Sequence, residues 1–174
     1  MNELLMLLLS LILPLAAQDA NSCPMHEEHL MASGEHHANV EKRGDQAMGF
    51  PHDKTTHHFR LYRDGGAIEV TADDAGDSKN VEAIRSHLAQ IAVMFSKGDF
   101  STPMFIHDQV PPGVPMMKER GRQISYLFEA TPRGGRVRIK TSSEEALKAV
   151  HEFLRFQIED HHTKDSTEIS SVAR

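Results

Sequence analysis

Apolar and polar residues alternate over two short stretches of the chain. Ile68 and Val70 alternate with Ala67, Glu69 and Thr71, and Val137 and Ile139 alternate with Arg136, Arg138 and Lys140. A period of two sends one set to a buried face and the other to a wet face of an antiparallel sheet. Two further stretches carry a helical period. Val81, Ile84, Leu88, Ile91 and Phe95 form one apolar stripe, with Gly98 as its stop. Leu147, Val150, Leu154 and Ile158 form the other, opened by the capping box Ser142-Ser143-Glu144-Glu145.

These segments recur in the same order. The first copy predicts a strand over 55–63, a turn at Asp64-Gly65-Gly66, a strand over 67–72 and a helix over 80–97. The second predicts a strand over 123–130, a turn around Arg133-Gly134-Gly135, a strand over 136–141 and a helix over 143–160. The paired glycines are read as suppliers of the positive φ that tight hairpins need. Each ββα unit has a one-sided apolar surface that it cannot bury alone. Two units together predict an α+β fold: a four-stranded, mainly antiparallel sheet with two helices on one face.

Outside the repeat the pattern fades. Residues 1–17 hold an apolar run, Leu4 to Leu15, too short to span a bilayer and followed by Ala16-Ala17. That is the profile of a signal peptide, which predicts a mature N-terminus between Gln18 and Cys23 and a periplasmic or secreted protein. Residues 18–54 lack hydrophobic periodicity and read as a flexible His/Met-rich arm that orders on binding metal. Residues 55–162 form the folded domain. Residues 100–122 carry Pro103, Pro111, Pro112 and Pro115 and read as a functional loop, neither helix nor central strand. The tail, 163–174, is polar and reads as disordered.

Composition narrows the function. A formal charge of −6 with a pI near 6.0 argues against general nucleic-acid binding. With no Trp and two Tyr, large aromatic stacking platforms are not expected. The single Cys cannot form an internal disulfide. No other apolar run is long enough to span a membrane.

Histidine changes the picture most. Seven of the 12 histidines lie between Cys23 and His58: His26, His29, His36, His37, His52, His57 and His58. Met25, Met31 and Met48 are interleaved with them. Thiolate, thioether and imidazole suit copper and zinc. Cys23-Pro24-Met25-His26 resembles the Cys-Pro-Met-His element of small heavy-metal-binding modules of copper efflux adaptors and metal-transporting ATPases. The resemblance covers four residues and implies that Cys23, Met25 and His26 are ligands. Ser22 and Glu27 stand where those modules often have an aromatic residue and a proline. His29, Met31, His36 and His37 extend the ligand set. In the folded part His57 shares a strand face with Phe59 and Leu61, His151 sits on the second helical stripe and His107 lies in the Pro-rich loop. These three predict a zinc or copper site if the loop closes over the sheet. His161-His162 end the second helix, where cationic imidazole would suit the helix dipole. His87 and Met94 share an edge of the first helix; the better reading there is packing.

The chain also resembles, over its length, a family of short exported bacterial proteins of unknown role. The resemblance rests on Arg43-Gly44-Asp45, Met48-Gly49-Phe50, Thr55-Thr56-His57-His58-Phe59, Ile106-His107, Pro111-Pro112-Gly113-Val114 and Phe153-Leu154-Arg155-Phe156-Gln157. No Gly-x-Ser-x-Gly, phosphate loop or His-Glu-x-x-His motif is present. The leading expectation is an exported metal-binding protein, copper favoured over zinc, for sequestration or delivery. The alternatives are a metal-dependent hydrolase or oxidoreductase using His57, His107 and His151, and an interaction protein. Arg60, Arg136, Arg138 and Lys140 are expected on the wet sheet face, which could also serve as a homodimer interface.

Overall fold

The computed structural model describes residues 24–170, and side chains from Gly34 onward. The signal-peptide assignment, Cys23, and the side chains of Met25, His26, His29 and Met31 lie outside the described residues. In chain order the elements are α1 (Pro24–Met48), β1 (Thr55–Tyr62), β2 (Gly65–Ala72), α2 (Ser78–Ser96), α3 (Ser101–His107), α4 (Val114–Glu119), β3 (Ile124–Thr131), β4 (Gly134–Thr141) and α5 (Glu144–Asp160). The fold is α+β. Among the described residues no helix is long and apolar enough to cross a membrane.

The two hairpins join through β2 and β4, giving the antiparallel order β1-β2-β4-β3. The alternation read from the sequence sets the faces. His57, Phe59, Leu61, Ile68, Val70, Val137, Ile139, Tyr126 and Phe128 share the helix-facing side by register. α2 lies mainly over β4 and β3, whereas α5 lies mainly over β1 and β2. Each unit's helix thus covers the other unit's hairpin. Phe95, Phe100 and Phe153 meet between the helices, with ring centroids 4.4–6.2 Å apart. Asp77 caps α2 by accepting from the Asn80 N–H at 3.1 Å, and Ser143 caps α5 through the Ala146 N–H at 3.4 Å.

Five expectations need correction. The paired glycines are not the turn residues; Arg63-Asp64 and Pro132-Arg133 are. Only Gly65 of the four has a positive φ, +139°. The others make room: a Cβ on Gly66 would lie 2.4 Å from the Arg60 carbonyl oxygen, and one on Gly134 would lie 2.1 Å from that of Val70.

The arm, expected to be flexible, is helical over most of its described length. Residues 24–48 form one helix with proline at its first position, where the missing N–H is not needed. Its seating against the domain buries Val40 completely and Gly44 with it, and Phe50 follows at 3 % exposure. Arg43 Nε donates to the Ile106 carbonyl at 2.7 Å and pins α1 to α3.

The Pro-rich loop is two short helices. Pro103 and Pro115 fall in the first turns of α3 and α4, where proline breaks no helical hydrogen bond.

The tail is docked as far as Ser170. Asp165 pairs with His58 Nδ1 and Arg60, both at 2.9 Å, and Ser170 N–H donates to the Leu61 carbonyl at 2.9 Å.

The outer sheet face is not uniformly wet. Arg138 is 3 % exposed, its guanidinium 4.7 Å from the Tyr62 ring centroid. It donates to the carbonyls of Gly66 and Ile139 and to Asp64.

Candidate histidine-lined cavities

The end of the sheet nearest α1 is where imidazoles collect. β1 carries His57 on its helix-facing side, α2 carries His87, α3 ends in His107, and His161 caps α5. All four line one internal cavity of about 60 Å³, together with Met48, Ile91, Ile106 and Gln157. Met48, His57 and His161 also border a second cavity of about 240 Å³ beneath α1. His37, Glu41, Gly44 and His52 complete its wall. Six of the 12 histidines therefore surround two adjoining spaces.

The inner rings are apolar in behaviour. His57 and His161 are parallel with centroids 6.0 Å apart, and His161 meets His107 edge-on at 4.9 Å. Phe50 contacts both His57 and His87, at 6.3 and 5.7 Å. Burial, then repulsion from His87, His52 and His58, lowers His57 from 6.5 to about 4, against a smaller opposing pull from Asp73. Burial alone lowers His87 to about 4. Burial, then His57 and His107, lowers His161 to about 3, although Asp160 pulls the other way. All three are neutral at physiological pH. Among the described residues no hydrogen bond reaches their ring nitrogens, and those nitrogens are not sealed from solvent.

His107 is held differently. Its Nδ1 donates to Asp160 Oδ2 at 2.5 Å, and its Nε2 lies 3.0 Å from Gln157 Oε1. Asp160 also accepts from His36 Nε2 at 2.8 Å, which ties α1 to the end of α5. Burial raises the Asp160 carboxyl, but the hydrogen bonds from His107 and His36 outweigh it and hold the group below its usual range. The Gln157 Nε2 beside this dyad is buried and unpartnered, as is His37 Nδ1 in the outer cavity. Buried polar atoms without a partner commonly mark a place where water, an ion or a ligand belongs. At the mouth, Glu41 lies between His37 Nε2 at 3.2 Å and His52 Nε2 at 3.5 Å, and His37 stacks on His162 at 4.2 Å.

The structure brings together only part of the expected folded site. His57 and His107 line one cavity, but His151 does not join them. Its Nε2–H is shared between the carbonyls of Tyr62 and Gly65, at 2.9 and 3.0 Å, so it clips the first hairpin to α5. His161 takes the third place. The cationic helix-end role expected for it is also corrected, because burial keeps the ring neutral. Its inward position was readable: it continues the stripe of Leu154 and Ile158. His36 and His37 face the domain from α1, one in the Asp160 network and one in the outer cavity. Met94 packs against the core and accepts from Thr102 Oγ1 at 3.9 Å, apart from the cavity that His87 lines.

As the side chains stand, no group of three or more His, Cys, Asp or Glu among the described residues is in position to hold a metal ion. Two imidazoles sharing a metal at ~2 Å from each nitrogen bring their centroids to roughly 5–6 Å. The His57–His161 separation of 6.0 Å lies at the upper end of that range, whereas both ring nitrogens of His107 already have protein partners.

Comparison with family models, with curated proteins and with solved structures gives no match. The functional reading rests on the geometry of the site.

Proposed function

We propose that the protein binds a soft or borderline metal ion, copper in preference to zinc, in the imidazole-lined cavities beneath α1. Sequestration or delivery outside the cytoplasm is the role this implies, with the apolar leader as the support for export. The observation that carries the reading is the state of His57, His87 and His161: neutral rings, free of protein hydrogen bonds, facing shared space. A metal ligand must be deprotonated before it binds, and these rings meet that condition well below neutral pH. The Met48 thioether borders both cavities and favours copper over zinc.

The test is a Cu(I) and Zn(II) titration of the full chain carrying Cys23→Ser, with and without His57→Ala/His161→Ala. The double variant is expected to lose one equivalent of tightly bound copper while keeping its circular dichroism. Met48→Leu is expected to weaken Cu(I) about tenfold and leave Zn(II) unchanged, since thioether is a poor zinc ligand. Unchanged copper stoichiometry in the double variant would remove the cavity from the account.

A further inference from the structure

The two outer strands of the sheet end in different states. A two-residue loop makes the closing pair of a hairpin hydrogen-bonded, and the bonding then alternates along the strand. In β1 the groups of Tyr62, Arg60, His58 and Thr56 therefore point to β2, and those of Leu61, Phe59 and His57 point outward. The chain uses that outward edge itself. Phe59 N–H donates to Asp165 Oδ2 at 2.9 Å, and the Leu61 carbonyl accepts from Ser170.

By the same register β3 turns the N–H and C=O groups of Ala130, Phe128, Tyr126 and Ile124 outward. Phe128 and Ala130 are the counterparts of Phe59 and Leu61 in the repeat, and no described residue binds them. The strand is eight residues long and contains no Lys, Arg or Pro. Its one charge, Glu129, is already paired with Arg136 at 2.5 Å. Edge strands that avoid association carry lysine, proline, a bulge or a cover. Among the described residues this one has none of these, and Leu127 stands 58 % exposed on it.

We infer that the β3 edge binds a second copy of this chain, strand against antiparallel strand, with the two-fold axis at Leu127. The occupant is argued from self-complementarity. In this register Tyr126 faces Phe128 of the second copy, Ile124 faces Ala130 and Ser125 faces Glu129. Outward backbone groups meet outward backbone groups, and no like charges oppose. Leu127 meets its own copy at a non-hydrogen-bonded position, where side chains approach most closely. Because β1 is occupied by the tail, association stops at two, and the product is one continuous eight-stranded sheet.

Sedimentation velocity of the full chain over a wide concentration range tests this. The expected result is a dimer that Leu127→Lys converts to monomer, with an unfolding midpoint equal to that of the unmodified chain at concentrations where that chain is also monomeric. In a Cys23→Ser background, Leu127→Cys is expected to form a disulfide-linked dimer on mild oxidation, and Ser125→Cys is not. A monomer at every concentration overturns the inference. So does a dimer that survives Leu127→Lys, which would place the contact on another surface, or one that Leu127→Cys fails to cross-link.

Discussion

Between pH 6.5 and 4 the urea midpoint of unfolding is expected to fall steeply. The cause is the set of imidazoles around the inner cavity. In the unfolded chain His57, His87 and His161 titrate near 6.5, whereas in the folded chain they titrate near 4, 4 and 3. A group whose folded value is depressed contributes stability that is present above its unfolded value and lost as pH falls towards its folded value. One unit is about 1.4 kcal/mol, so each ring alone sets up a loss of about 3 kcal/mol or more. The first ring to charge repels the others. Together the three rings set up a loss of about 9 kcal/mol, comparable with the whole stability of a domain. Asp160 acts in the same direction only at lower pH, as its carboxyl takes up a proton from below its usual 3.8. His57→Phe and His161→Phe remove two of the three sites, and the loss between pH 7 and 4.5 should then shrink to the share His87 contributes, about 2–3 kcal/mol. A midpoint already flat in the unmodified protein over that interval would contradict the neutral, half-buried state assigned to these rings.

Gly113→Ala is expected to be among the most damaging conservative changes at the described residues. Gly113 has φ +80° and opens α4 where that helix crosses α5. A Cβ there would lie 2.0 Å from the Ala149 carbonyl oxygen and 2.9 Å from its carbon. Both are backbone atoms of a packed helix, so no side chain can rotate away. The positive φ and the overlap together are expected to cost about 2–5 kcal/mol. Gly98→Ala separates the two effects: its φ is +75°, but a Cβ would meet nothing within 4 Å. It should cost about 1–2 kcal/mol, the strain alone. Equal losses for the two variants, measured by urea unfolding, would show that α4 moves off α5 freely.

The repeated core was legible because its residues obey one period at a time. The alternation of Ile68 and Val70 and the stripe from Val81 to Phe95 survive an error of a residue or two in where each element begins or ends. α1 was not legible, because the side it turns to the domain is built from His36, His37 and Arg43 as much as from Val40 and Met48. A hydrophobic pattern cannot register a helix that seats polar rings. α3 and α4 were hidden by prolines that signal a break in mid-helix and a start at the first turn. The tail was hidden because one carboxylate, Asp165, anchors it. His57 was found through its strand face. His161 was missed although it continues a stripe, because its place at a helix end suggested a solvated cation. His151 was assigned to the right face, and what the pattern could not say was that two carbonyls of the first hairpin wait for its proton.

The exchange of helices between the two halves has a consequence for symmetry. His57 of β1 faces His161 of α5, and the repeat relates these positions to Tyr126 of β3 and Phe95 of α2. That second pair also meets, with centroids 5.7 Å apart. The fold therefore holds the same two-ring junction twice, once as imidazoles and once as aromatics. Two identical half-chains exchanging helices would have to carry the same rings at both junctions. A covalent tether through α3 and α4 lifts that obligation. One junction is left as inert filling, while the other is free to carry nitrogen.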